Sequence, residues 1–394
     1  MEDIVIVGGG LGGLTLARVL HIHGIEAAVY ELDDSGRARG QGGMLDIHDD
    51  SGQVALREAG LFEQFRGIVH PGGEAMRILD RHGNVRVDEE DEGGRGRPEV
   101  DRGDLRRILV ESLPEGTIRW GRKVAGVEPL GGGRHEVRFA DGSSTTAGLL
   151  VGADGAWSRV RPLVSDAKPK YAGITFFEID LFDADRRHPG AAQVVGGGML
   201  FALGAGKGFL AHRETDGSLH VYAALRVDED WIAEAGFGGV WSGPAGSRPD
   251  PGSGGTAEAR SRLVEQFQGW APELVALIEE ADGPLVPRAI HALPVGLRWD
   301  RVPGVTLVGD AAHVMSPFAG EGANLALHDG ALLGKALAEW PGDVEGALGS
   351  YEEAMFARAA ASAAEAAENL EICFRDDAPQ SLIDRFAAYA AAGR

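Results

Sequence analysis

The run DIVIVGGGLGG at positions 3–13 leaves this chain few folds to choose from. An uninterrupted apolar stretch such as DIVIV suits a strand buried on both faces, as inside a parallel sheet. Glycines break it, LGGLTLARVLHIHG returns to helical periodicity, and Gly24 closes the helix. IEAAVYE (25–31) reads as a second strand, so the chain opens as a βαβ unit. In its turn, Gly8, Gly10 and Gly13 have GxGxxG spacing, which lets amides around Gly10 and Leu11 at the helix N-terminus cradle a pyrophosphate. Glu31 ends the second strand, where a carboxylate accepts hydrogen bonds from ribose hydroxyls and repels a 2′-phosphate. Strand, turn, helix and acid in register point to dinucleotide binding, with NAD and FAD both open.

At roughly 150 residues per domain, 394 residues give two or three domains, and 44% apolar content supplies a core. Residues 54–65 and 104–113 read as helices, the second capped by Asp104, and HEVRFADGSSTT (135–146) reads as half a hairpin. From 172 to 228 short alternating runs (FFEIDLF, MLFALG, LHVYAALRV) predict a mostly antiparallel sheet in a second domain. The glycine-, proline- and serine-rich stretch 236–259 reads as a mobile loop, and 351–371, rich in alanine and glutamate, as a long helix. Sixty acidic against 38 basic residues leave a net charge of -22, which repels phosphate backbones and anionic lipid, so neither nucleic acid nor a membrane is an expected partner. A single cysteine, Cys373, forms no internal disulfide. With neither a basic leader nor an apolar run of about twenty residues, a cytoplasmic chain is expected.

Two further glycine-bearing turns carry chemistry. LLVGADGAWSRVR (149–161) is a buried strand breaking at Asp154-Gly155, with Ser158 and Arg161 beyond; alone it is an ordinary Asp-Gly turn. GVTLVGD ends at Asp310, and the next helix is expected only after Gly320-Glu321-Gly322, from about Ala323. Ligands of open α/β sheets bind beyond the carboxyl ends of strands, which places Asp310 against polyol hydroxyls. Gly320 and Gly322 let backbone lie against a flat ring, with the positive end of the helix behind it.

In the order GGGLGG, GADG, LVGDAAH, these motifs resemble those of the class A FAD-dependent aromatic hydroxylases, the para-hydroxybenzoate hydroxylase type, over nearly the whole chain. GGMLDIHDDSGQ and PEVDRGDLRRIL are most similar to the tetracycline-inactivating branch of flavin monooxygenases. The resemblance implies an α/β fold: a Rossmann-type FAD-binding domain (1–73, 98–171 and 284–345), an inserted, mostly antiparallel substrate sheet (74–97 and 172–283) and a C-terminal helical segment (346–394). It implies FAD held by Gly8, Gly10, Leu11, Gly13, Glu31, Arg102, Asp154 and Asp310, with Pro317, Gly320, Gly322 and Ala323 near the isoalloxazine. The implied chemistry is reduction of FAD by NAD(P)H, with NADPH favoured, and delivery of oxygen from O2 through a flavin C4a-hydroperoxide to an aromatic or polycyclic small molecule. The protein then orients, supports charge and excludes water. A monomer is expected.

On the substrate side the resemblance places His220, also the one candidate catalytic residue, with Phe318 and Gly320. Where the tetracycline-inactivating branch has a glutamine and an arginine, this chain has Glu178 and Met199, which removes bidentate recognition and adds an acid. These departures argue against tetracycline itself and leave a related polycyclic phenol or another aromatic natural product as the expected substrate. His48 is a candidate for the flavin pocket and His313 for a structural role; His21 and His23 lack the partners a metal site needs. The acidic run 88–97 reads as a solvated loop. Alternatives are a reductase or halogenase of the same fold, the latter lacking its WxWxI stretch here, and a nucleotide-binding protein without turnover.

Overall fold

The computed structural model describes residues 4–36, 43–93, 96–237 and 257–391. Most of the 236–259 stretch, and positions 94 and 95 of the acidic run, lie outside the described residues.

Five parallel strands form the first sheet, in the order Val305–Leu307, Leu149–Gly152, Ile4–Val7, Ala27–Tyr30, Ile118–Arg119. Ile4–Val7 sits at its centre and all four residues are buried, as an unbroken IVIV demands. The carboxyl ends of the first four strands present Asp310, Asp154, Gly8 and Glu31, so the three glycine turns lie along one edge. Helix Leu11–Ile22 covers the sheet and packs on helix Glu321–Glu339 through backbone. A Cβ at Gly330 would fall 2.3 Å from Gly12 O and 2.9 Å from Leu16 N.

The second sheet has seven strands: Val286–Ala292, Lys170–Leu181, Leu219–Leu225, Lys207–Arg213, Met199–Gly204, Met76–Asp80 and Val85–Glu89. Every neighbouring pair is antiparallel except Met199–Gly204 with Met76–Asp80. The pleat sorts its side chains. Phe177, Ile179 and Leu181 point to a core closed by helices Pro189–Val195, Ala257–Gln266 and Pro272–Glu279. Phe176, Ala224 and Leu203 point the other way, toward Leu370, Ile372 and Phe374. A short ribbon, Met44–Asp46 with Glu99–Asp101, lies beside the first sheet.

Helix Val344–Cys373 ties the two bodies. At its start Leu348, Tyr351 and Met355 belong to the core of the parallel sheet, and at its end Leu370 and Ile372 belong to that of the second. Thirty residues give a strut of about 45 Å.

Four local expectations are corrected. Strand Val286–Ala292 pairs with Lys170–Leu181, so the second sheet runs past the expected boundary at 283/284. Asp101, not Asp104, caps helix Arg102–Glu111: its backbone is extended and its carboxylate accepts from Asp104 N. The 54–65 helix is two, Gly52–Glu58 and Phe62–Arg66, parted where Gly60 takes φ +64°. The strand that leads into the third turn stops at Leu307, Asp310 opens a one-turn helix (Asp310–His313), and the following long helix starts at Glu321 rather than Ala323.

Because the helix–helix contact at Gly330 is backbone on backbone, no rotamer change relieves it. Gly330→Ala is expected to cost about 1–3 kcal/mol, read as a lower thermal midpoint; an unchanged midpoint would show that the two helices slide apart freely.

Candidate functional site

Three turns meet at the carboxyl edge of the parallel sheet. Gly8 takes φ +108°, and a Cβ there would fall 2.2 Å from Ala153 O in the second turn; one on Gly13 would fall 2.2 Å from Gly8 O. Space beside Gly10 is open, and the helix that begins at Leu11 has no side-chain cap, so its first amides face that opening. A phosphate group fits such a cradle. Glu31 is fixed beneath it: its carboxylate accepts from Gly9 N at 2.5 Å and Asp33 N at 2.9 Å.

Arg106, which sequence reasoning passed over, braces the same turn. Its Nε donates to Gly9 O at 3.0 Å, its Nη1 to Gly36 O at 3.2 Å, and Asp33 lies 3.7 Å from its Nη2. Its signal was its place one turn after Arg102, on a helix face otherwise made of Leu105, Ile108 and Leu109. Burial raises the pKa of both the Asp310 carboxyl and the Tyr222 phenol, and the charge of Arg102, the first residue of that helix, works against both shifts.

In the second turn, Asp154 is spent on shape. Its carboxylate accepts from Ser158 Oγ and Arg159 N, each at 2.6 Å, and burial pushes its pKa up against those bonds. Buried Arg161 crosses to the third turn, with Nε donating to Ala311 O at 2.7 Å and Nη2 to Asp310 O at 3.2 Å. Asp310 is reached by solvent yet walled by protein, the situation of a cleft. Desolvation raises its pKa, and the charges of His313, Arg102 and Arg161 oppose this.

The third turn hangs on Asp329, which sequence reasoning also missed. Its buried carboxylate accepts from Gly309 N at 3.0 Å, His313 Nε2 at 2.6 Å and Arg358 Nη2 at 3.3 Å. His313 is buried, with its Nε2 spent on that carboxylate. Beyond it Pro317 is exposed, Phe318 stands edge-on to Phe176 and Phe374, and Gly320 takes φ +67°. A Cβ at Gly320 would lie 3.0 Å from Asp46 Oδ2, whereas Gly322 faces open space. Glu321 and Ala323 sit in the first turn of the uncapped helix.

The ribbon is clamped to that helix. Asn324 Nδ2 donates to Asp46 O at 2.9 Å while its Oδ1 accepts from His48 N at 2.9 Å. His48 bridges Asp46 Oδ2 at 2.8 Å and Glu321 Oε1 at 3.1 Å. Burial pulls its pKa down, but the two carboxylates outweigh it and raise it to about 9. His48 therefore stands on the third turn's wall as a cation.

Across the cleft, the pleat and register bring the expected substrate residues to one face. Met199 stands opposite His212, His212 opposite His220, and His220 opposite Asp180. One rung along, Tyr222 stands opposite Glu178. His220 Nδ1 bonds Asp180 Oδ1 at 2.7 Å and its ring meets Tyr222 edge-on at 4.7 Å. Glu178 does not add bare charge: Arg288 grips it through two bonds of 3.0 and 3.1 Å. Phe176 joins Tyr222 to Phe318, so the sheet and the third turn share one aromatic wall. Among the described residues no group of three or more His, Cys, Asp or Glu is arranged to hold a metal, and no helix is long and apolar enough to cross a membrane.

Comparison with known proteins gives the same outline. The model of the FAD binding domain family matches residues 1–195 and 297–366. Monooxygenase asqM of Emericella nidulans is 31% identical over 440 aligned positions, covering 98% of both chains. The 3-amino-4-hydroxybenzoate 2-monooxygenase PtmB3 of Streptomyces platensis is 33% identical over 366, covering 89% of this chain and 83% of that one. Among solved structures, Klebsiella pneumoniae HpxO complexed with FAD and uric acid superposes with a TM-score of 0.76 at 23% identity, over 98% of this chain and 92% of its own. Tetracycline destructase Tet(51) gives 0.70 at 19% identity, over 98% and 94%.

The His48 clamp has a pH signature. A folded-state pKa near 9, above an unfolded value of about 6.5, means that its stabilisation is full below that lower value and is lost as pH rises through about 9. The difference in thermal midpoint between wild type and His48→Ala is therefore expected to shrink between about pH 7 and pH 10. A difference constant over that interval would mean that His48 bridges as a neutral ring.

Proposed function

This chain belongs to the FAD binding domain family and is an FAD-dependent monooxygenase, and on that premise we propose that it uses NADPH and O2 to hydroxylate a polycyclic or other aromatic small molecule. The observation that carries this reading is the convergence of the three turns opposite one face of the second sheet, with Asp310 and Phe318 on one wall and His220 and Tyr222 on the other.

FAD supplies the redox chemistry and the activation of oxygen when bound. The chain's part is to hold and to exclude. Gly8, Gly10, Leu11 and Gly13 shape the pyrophosphate cradle. Glu31 has lone pairs left for ribose hydroxyls after accepting two backbone amides. Arg102 and Asp310 face the polyol region, while Asp154 acts through the loop it shapes. Pro317, Gly320, Gly322 and Ala323 form the backbone bed for the ring system, and the uncapped helix end behind them favours negative charge there.

Substrate lies, on this reading, against Phe318 and Gly320 on one side and Met199, Glu178 and His220 on the other. Met199 gives that wall a soft apolar end where an arginine would read oxyanions. The Glu178–Arg288 pair presents little net charge. A flat, largely uncharged polycyclic phenol suits these walls better than a small carboxylate.

The test is incubation of the FAD-loaded protein with NADPH, O2 and a panel of tetracyclines, anthracyclines and simple phenols, with mass spectrometry for gain of one oxygen atom. Product from a polycyclic member is expected. No product from any member, with no ligand-stimulated NADPH consumption, would turn the reading toward a binding protein. Separately, Asp310→Ala is expected to weaken FAD retention about tenfold or more, through loss of charge-assisted bonds worth about 1.5–3 kcal/mol. Undiminished flavin content after gel filtration would remove Asp310 from the cofactor site.

A further inference from the structure

We infer that His48, clamped between Asp46 and Glu321, sets how readily the flavin ring accepts electrons, its positive charge offsetting one of two carboxylates held against the ring's bed. This rests on the monooxygenase reading above and deepens it: His48 becomes a positioning residue for reduction of the cofactor, acting through Asp46 and Glu321.

The ribbon and the long helix bring these three groups together. His48 Nε2 lies 2.8 Å from Asp46 Oδ2, and its Nδ1 lies 3.1 Å from Glu321 Oε1. A carboxylate only accepts and a neutral imidazole has one N–H, so both contacts are hydrogen bonds at once only in the imidazolium. Asp46 Oδ2 in turn lies 3.0 Å from where a Cβ on Gly320 would stand, and Glu321 is the next residue. Both carboxylates therefore border the backbone that beds the ring. The backbone around His48 is fixed separately. Asn324, which solvent does not reach, accepts from His48 N at 2.9 Å and donates to Asp46 O at 2.9 Å and Gly320 O at 3.1 Å. A change confined to the His48 side chain thus alters the charge of the bed and leaves the backbone clamp in place.

With its imidazolium the clamp carries one net negative charge; without that proton it carries two. Hydride transfer from the reductant breaks a C–H bond there, forms an N–H bond on the ring and adds one negative charge to the ring. The uncapped helix end favours that charge, and each carboxylate of the clamp opposes it. A unit charge about 10 Å away, at an effective dielectric constant of about 20, changes such an equilibrium on the order of tenfold.

The groups around the clamp set the pH at which the proton leaves. Burial pulls the His48 pKa down, and Asp46 and Glu321 lift it to about 9 against that and against the charge of Arg97. Glu99, on the paired strand of the ribbon, is pushed well above the usual carboxylate range by burial and by Asp46, Glu214 and Glu74. Helix Gly52–Glu58 meets His48 with an amide, Gln53 N donating to His48 O at 2.9 Å. Across the cleft His212 is held neutral, burial and His220 pushing its pKa down to about 4 while Asp46 opposes them. Negative charge on the reduced ring raises the His48 pKa beyond its value beside the oxidised ring. Between those two values reduction takes up one extra proton, so the midpoint potential falls more steeply with pH.

The experiment reads the potential without turnover. The FAD-loaded protein, free of substrate and oxygen, is reduced stepwise with dithionite beside a reference dye, and absorbance gives the ratio of reduced to oxidised flavin. Near neutral pH, His48→Gln is expected to lower that ratio about tenfold, which is about 30 mV for a two-electron couple. Adding Glu321→Gln to it returns the clamp to one negative charge and should bring the ratio back to the wild-type side of that gap. From about pH 7 to 10 the wild-type midpoint should bend downward near pH 9 and approach that of His48→Gln, which shows no bend.

Equal ratios in wild type and His48→Gln, a double variant no better than the single one, or a wild-type midpoint without the bend would overturn the assignment. A merely structural clamp predicts the second of these, since the double variant lacks both hydrogen-bonding side chains. Should His48→Gln fail to retain FAD, the wild-type pH series decides alone. Loss of the oxygenation reading has a different signature: the potentials behave as described, but no member of the phenol panel gains oxygen.

Discussion

The third turn depends on one carboxylate that solvent does not reach. Asp329 collects the Gly309 amide, the His313 ring and the Arg358 guanidinium. Burial works against its charge, and His313 and Arg358 overcome it and hold its pKa below the usual carboxylate range, while Asp329 raises that of the His313 ring against burial. Such networks gain little over a well-packed apolar core, yet removing one member strands a buried charge at a cost of about 3–5 kcal/mol. What the network supplies is position. It fixes where strand Val305–Leu307 stops and where Asp310 emerges, and Arg161 carries that position across to the second turn.

From there the site assembles by backbone approach. Gly8 meets Ala153, Gly13 meets Gly8, and Gly330 meets Gly12, each at a distance that no Cβ allows. Three turns far apart in sequence are thereby drawn to one edge of one sheet. Helix Val344–Cys373 places the second sheet against them: Asn369 near its end donates to Phe318 O at 3.0 Å, while Tyr351 near its start donates to Leu307 O at 2.9 Å. One rigid element thus touches the carboxyl edge of the first sheet and the aromatic wall of the second.

The parts legible in the sequence were those whose signal is local. IVIV, the glycine spacing and the acid that follows the second strand each declare themselves within about a dozen residues. What escaped depends on pairing across the chain. Arg288 reaches Glu178 from 110 positions away, and Arg106 reaches Gly9 from 97, and neither contact leaves a periodic trace. The cap at Asp101 was missed for another reason. DRGD offers two carboxylates three residues apart, and only the backbone angles decide which of them lies outside the helix. Asp329 had a usable signal, a lone acid inside the apolar stretch LALHDGALLG, since an acid is rarely buried without a partner.

Net charge misleads when it is read as a property of every part of a molecule. This chain carries -22, and a uniform field of that sign would repel a phosphate group from the open cradle beside Gly10. Yet Arg102, Arg106 and Arg161 all belong to the body that bears the glycine turns, and two of them are buried there with their guanidinium groups turned to backbone carbonyls. At an ionic strength of about 0.15 M, charges beyond about 8 Å are largely screened, so these nearby cations and the uncapped helix ends outweigh the distant surface acids. On the opposite wall the balance reverses, with Asp180, Glu178 and Glu214 acting on His220 and a single guanidinium, Arg288, gripping Glu178. The field at each wall of the cleft is thus set by the placement of individual side chains, which total charge hides.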